Sequence, residues 1–239
     1  MIQENLERVR ERIAAAARNC GRDPKGVRLI CVTKGIPTDQ IQRAVACGVQ
    51  ELGENRVQEA REKQPLLPQG LRWHLVGHLQ RNKAKPAVEL FDSIHSVDSL
   101  GLIETLQEQA RHRRETTGEM KERNLEILIQ VNVSGEETKF GCRPQEAQGL
   151  AQAVLTSKSL TLAGLMTMAP LNRDPEDARP VFHQLRQLRD DLQKSLGLPK
   201  DQHTLEHLSM GMSGDFEVAV QEGATLVRIG TAIFRETGP

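Results

Sequence analysis

Eight short apolar runs alternate with longer helical patterns along this chain, and that alternation restricts the possible folds more than any other feature. The candidate strands cover residues 27–33, 50–52, 73–76, 93–96, 125–131, 162–167, 205–208 and 225–229. Helical spacing fills 38–48, 55–64, 80–90, 99–114, 144–157, 174–196 and 215–223 between them. Before the first strand, Ile2, Leu6, Val9, Ile13 and Ala17 recur among charged residues, which reads as an extra amphipathic helix ending near Gly21. Strict strand–helix alternation predicts a parallel sheet, and eight repeats within 239 residues predict a closed (β/α)8 TIM barrel. A doubly wound open sheet is the alternative. No linker rich in Pro, Gly or Ser divides the chain, so one domain over 1–239 is expected, with 111–124 as a charged surface excursion.

Composition enters mainly through what it excludes. With 32 Lys+Arg against 32 Asp+Glu there is no basic excess for a phosphate backbone, and no nucleic acid is expected. Five Phe, one Trp and no Tyr leave little for base stacking. Residues 1–20 contain no apolar core of a targeting segment, and no run approaches the roughly 18 apolar residues of a membrane span. Cys20, Cys31, Cys47 and Cys142 form no C-x-x-C pair and read as small buried hydrophobes in a reducing, cytoplasmic setting.

In barrels of this type chemistry gathers where strands end. Lys34 closes an otherwise apolar first strand, aiming an amine at the barrel mouth, where loss of water would favour its neutral, Schiff-base-forming state. The competing reading is a strand-end lysine in solvent. After strand seven, Ser213-Gly214 precedes a helix, and Gly230-Thr231 follows strand eight; these are the two loops where barrels commonly hold phosphate. Taken singly, Ser213 could be an N-cap and Gly230 a turn residue. Arg228 shares a period-two face with Leu226 and Gly230, so it is either a buried cation needing a partner or an outward side chain beneath a helix. His74 and His78, like His203 and His207, are four apart, but no carboxylate or Cys completes a metal site. There is no Walker A loop, no G-x-S-x-G elbow and no full G-x-G-x-x-G.

Eight ordered blocks span nearly the whole chain: VTKxxP (32–37), GENRVQE (53–59), WHLVGHLQxNK (73–83), IHSVDS (94–99), QVNVSGE (130–136), GLMTMAP (164–170), LSMGMSGDF (208–216) and VRIGTAIF (227–234). Together they resemble the YggS/PROSC group, the pyridoxal phosphate homeostasis proteins. The resemblance implies a fold-type III barrel similar to the N-terminal domain of alanine racemase, without that enzyme's second, β-rich domain. Under it Lys34 would carry pyridoxal 5'-phosphate (PLP) as a Schiff base. Ser213, Gly214, Gly230 and Thr231 would hold its phosphate, Arg228 would face the pyridine nitrogen, and Asn55 and Met210 would line the cofactor.

The implied function is cytoplasmic PLP homeostasis: binding and exchange of the cofactor without robust catalysis, with PLP-dependent acceptor enzymes as partners. An arginine at the ring nitrogen weakens the ring as an electron sink, and racemases of this fold type use a tyrosine that this chain lacks. No large apolar surface is evident in the sequence, which fits a monomer. The alternatives are a PLP-dependent amino-acid racemase or decarboxylase with Lys34 as base, and a PLP-free Schiff-base aldolase on a phosphorylated sugar. Two positions depart from the pattern. Gly35 stands where a larger residue is expected, and Arg235 stands where glycine is common, in a tail not expected to reach the site.

Overall fold

The computed structural model describes residues 1–117, 124–136, 139–170, 174–198 and 204–235. The eight strands are β1 (Arg28–Val32), β2 (Glu51–Glu54), β3 (Arg72–Leu75), β4 (Ser93–Val97), β5 (Leu125–Gln130), β6 (Leu160–Met166), β7 (His207–Ser209) and β8 (Leu226–Ile229). All pair in parallel in chain order, and β8 returns to β1 through Arg28↔Leu226 to Cys31↔Ile229, closing the barrel. The open doubly wound sheet is thereby excluded.

The helices are α1 (Ile2–Asn19), α2 (Thr38–Ala46), α3 (Val57–Lys63), α4 (Ala84–Leu90), α5 (Leu100–Thr117), α6 (Ala147–Leu155), α7 (Arg179–Ser195), α8 (Phe216–Gln221) and α9 (Thr231–Phe234). The extra helix α1 buries the stripe Leu6, Val9, Ile13 and Ala17, as its spacing predicts, and contacts α2, α8 and α9. Asn5 Nδ2 donates to Ile233 O at 3.0 Å, fastening this helix to α9 beside the last strand. The expected excursion at 111–124 begins as helix, since α5 continues to Thr117; residues 118–123 lie outside the described part. Among the described residues no helix is long and apolar enough to cross a membrane.

Two apolar cores result from the period of two along each strand. Outward residues such as Cys31, Leu52, Leu75 and Ile229 join the helices in one large core. A smaller cluster of Ile30, Leu128, Ala163, Met166 and Leu226 is separate from it and fills the barrel interior. Burial pushes the Cys31 and Cys142 thiols up to about 12, as befits inert hydrophobes. Cys20 differs from the expectation and is exposed at the end of α1, where the helix stops before Gly21.

Candidate functional site

Residue Lys34 leaves β1 on the same alternation that points Ile30 and Val32 inward. The strand ends in a tight turn in which Ile36 N donates to Thr33 O at 3.0 Å, and Gly35 adopts φ +67°, a conformation strained for any residue with a Cβ. That requirement accounts for the glycine after the lysine. Beneath the turn, Lys63 Nζ donates to Thr33 O and Glu54 Oε1, both at 2.7 Å, and to Glu59 Oε2 at 3.2 Å. Thr33 Oγ1 donates to Glu54 Oε1 at 2.6 Å, and Gly35 N donates to Glu59 Oε2 at 2.9 Å. Burial pushes the Glu54 carboxyl up, while its bonds from Lys63 and Thr33 work against that rise. This buried brace fixes the turn and aims Lys34 at the mouth. The desolvation expected of Lys34 is not met, because its side chain is exposed there.

A cavity of about 490 Å³ opens at this mouth, within the range of small-molecule sites. Its walls bring together Lys34, Asn55, Ser213, Gly214, Arg228, Gly230 and Thr231, which are far apart in the chain. Met210 is fully buried in the outer core and is absent from these walls. Alternation explains the difference: Ser209 faces inward, so its neighbour Met210 faces out, and Met212 reaches the wall instead. Phe234 and Arg235 also line the cavity, contrary to the expectation that the tail stays clear.

The two loops predicted to meet an anion are tied to each other. Ala232 N donates to Ser213 Oγ at 3.2 Å, joining the loop after β7 to the start of α9. At Gly230 a Cβ would stand 2.7 Å from Val32 O, so glycine lets the loop after β8 settle directly against β1. The backbone N–H groups of Ser213 and Gly214 donate to no described group, which leaves donors at the cavity wall beside two hydroxyls.

Arg228 points inward, 5% exposed, and is the buried cation of the two sequence readings. Nη1 donates to Ser209 Oγ at 2.7 Å and Nη2 to Thr167 O at 2.9 Å. Burial lowers its guanidinium to about 10, with the charge of Asp215 acting in the opposite direction, so it stays cationic at neutral pH.

Behind Arg228 runs a chain of polar side chains that the sequence reading did not connect. Ser209 Oγ lies 2.8 Å from His95 Nδ1, and His95 Nε2 lies 3.0 Å from His74 Nδ1. His74 Nε2 lies 3.1 Å from Glu51 Oε2, without good hydrogen-bond alignment, and Arg28 holds Glu51 from the other side at 2.7 Å. Arginine only donates and carboxylate only accepts, so the direction of the chain is set from both ends. Ser209 accepts from Arg228 and donates to His95 Nδ1; His95 and His74 each carry their proton on Nε2. Both imidazoles are fully buried, and burial lowers both, His95 farther because any charge on His74 and that of Arg228 would repel its own, so both are neutral at neutral pH. Burial works to raise Glu51, yet contact with His74 and the Arg28 bonds bring it down to about 2. Histidine and serine at inward strand positions were the available signal for this chain. His203 of the second histidine pair lies outside the described residues.

Comparison with known proteins agrees with this architecture. The family model described as alanine racemase, N-terminal domain, matches residues 4–237. The pyridoxal phosphate homeostasis protein of Aquifex aeolicus is 42% identical over 234 residues, which cover 98% of this chain and 97% of that one. PipY of Synechococcus elongatus, solved with PLP bound, superposes with a TM-score of 0.81 at 35% identity, covering 98% of this chain and all of its own. Alanine racemase of Clostridium difficile superposes with a TM-score of 0.70 at 14% identity, and this chain spans 57% of it, so the barrel fold alone is shared. On its 42% identity to that homeostasis protein over 98% of its own length and its match to the alanine racemase N-terminal domain model, the chain belongs to the pyridoxal phosphate homeostasis protein family.

Proposed function

We propose that this chain is a PLP-binding protein of PLP homeostasis, one barrel domain that holds and exchanges the cofactor and has no robust catalytic cycle. The observation that carries this reading is the convergence of Lys34, the buried cation Arg228 and the paired loops of Ser213 and Thr231 on one cavity. These residues fit the cofactor group by group. Lys34 offers the amine for covalent attachment. The free N–H groups of Ser213 and Gly214, with the Ser213 and Thr231 hydroxyls, offer donors to a phosphate, and Gly230 allows the close approach. Arg228 would face the ring nitrogen, and Asn55, Val76 and Met168 stand in the wall where the ring would lie. When bound, PLP supplies an aldehyde that condenses reversibly with amines.

The chain's own groups favour holding over turnover. Arg228 stays protonated through neutral pH, so it would donate to the ring nitrogen and oppose protonation of that atom, which would restrain carbanion chemistry. Among the described residues, the titratable members of the cavity wall besides Lys34 are Arg228 and Arg235, and guanidinium groups do not serve as bases near neutral pH. Exchange would occur with amines or PLP-dependent acceptor enzymes in the cytoplasm, with the protein acting as a monomer. The test is turnover by the pure, PLP-loaded protein. Amino-acid racemisation and decarboxylation are expected to be absent; either reaction at a kcat of roughly 1 s⁻¹ or more, abolished by Lys34→Ala, overturns the carrier reading.

A further inference from the structure

A second cavity, of about 280 Å³, lies between the segments that follow β2 and β3. Arg56, Arg61 and Lys83 stand in its wall with Gln80 and His78, above an apolar floor that includes Leu79. Asn55 belongs to this wall and to that of the Lys34 cavity, so the two adjoin. Among the described residues no carboxylate lines the cavity. The side chains of Arg56, Arg61 and Lys83 make no hydrogen bond or ion pair among the described residues. Acids border the cavity without pairing to these three cations: Glu59, whose charge Arg56 feels, binds Gly35 N and Lys63, Glu62 Oε1 accepts from Gln58 Nε2 in the wall at 2.8 Å, and Asp98 lies 3.9 Å from His78. In a chain with 32 residues of each sign, three unpaired cations around one concavity are a local concentration with no general basic bias behind it.

We propose that this groove is a binding site for a phosphomonoester dianion, held beside the Lys34 cavity. A phosphomonoester carries about 1.5–2 negative charges at neutral pH and three acceptor oxygens, which matches two arginine forks and one ammonium. A single carboxylate leaves most of that positive charge uncompensated. The groove is also firmly joined to its neighbour. At Gly77 a Cβ would stand 2.3 Å from Asn55 O, so the two segments touch backbone to backbone. Neither the cations nor the cavity depends on what Lys34 carries.

Residue-resolved NMR of the full chain, free of PLP, tests the site with inorganic phosphate and methyl phosphate as probes. Both probes are expected to give saturable amide shifts at 56–61 and 78–83. Separate shifts at 213–214 and 230–232 are expected from the first cavity. Arg61→Gln combined with Lys83→Gln is expected to weaken the first set at least tenfold and leave the second unchanged, which also shows that the variant is folded. Arg56→Gln alone is expected to weaken the first set in the same direction. Shifts confined to 213–214 and 230–232, or a first set that is unsaturable or reproduced by potassium chloride, overturn the proposal. Binding of inorganic phosphate without methyl phosphate overturns the ester assignment. Loss of the second set alone counts against the Lys34 cavity reading and leaves the groove standing.

Discussion

Arg228 is a buried guanidinium that no carboxylate among the described residues touches directly, and the charge is accommodated by a polar chain ending at Glu51. The chain has a pH consequence. Folding holds His74 and His95 below their ordinary 6.5, so the unfolded chain binds more protons once the pH falls under that value. Stability is therefore full above about pH 6.5 and declines below it, by on the order of 1 kcal/mol per histidine per pH unit. Glu51, held at about 2, adds a further loss as the pH drops below its ordinary 4.5. Urea midpoints measured from about pH 7.5 to 5 are expected to fall, and His95→Gln is expected to flatten the dependence while lowering stability overall. An unchanged slope in that variant would show that the imidazole is not the titrating group. At the cavity wall, Ser213→Ala with Thr231→Ala removes two hydroxyl donors from the proposed phosphate site. Hydrogen bonds to a charged group are worth roughly 1.5–3 kcal/mol each, so the double variant is expected to lose PLP on dialysis that retains it in the parent. Full retention would contradict the phosphate assignment. Lys34, Ser213, Gly214, Gly230 and Thr231 were legible because each follows a predicted strand, and Arg228 because of its face within one, whereas the line through His74, His95 and Ser209 was not. They sit on different strands, and closure of the barrel is what brings them into one line.

Elements were legible wherever a single face decides burial. Helix α1 shows its stripe openly, and its docking against α8 and α9 leaves Leu6 fully buried. Leu6→Ala is expected to cost about 2–5 kcal/mol in denaturant unfolding, the range for truncating a packed leucine; a change under about 0.5 kcal/mol would mean that α1 detaches at little cost. Element ends were less legible, and β7 shows why. The sequence predicts a strand from Leu205, but Leu205 adopts φ +57°, outside strand geometry, and β7 begins only at His207. Four 3-10 turns likewise replace the first turns of predicted helices or follow them, as at Arg81–Lys83 before α4, where local hydrogen bonding shortens the regular helix. The turn at Thr33–Ile36 belongs to this scale too. Gly35 breaks the family pattern as read from sequence, and only the positive φ gives its reason.

For the whole molecule, strand–helix alternation and the strand count were enough to predict a closed barrel, since eight parallel strands with helices between them have few other ways to bury both faces. What the linear chain could not convey is the inner geometry: which polar residues meet across the lumen, and that Met212 instead of Met210 reaches the mouth. Closure sets Lys34 on β1's end beside the loop after β8, because those strands are neighbours despite lying at opposite ends of the sequence. On the proposed reading, this juxtaposition makes a PLP anchor. Its most direct test is borohydride reduction of the protein after incubation with PLP, followed by peptide mapping by mass spectrometry. A pyridoxyl adduct on Lys34, absent in Lys34→Ala, is the predicted result. No adduct, or an adduct on another lysine such as Lys63 or Lys83, would contradict the account.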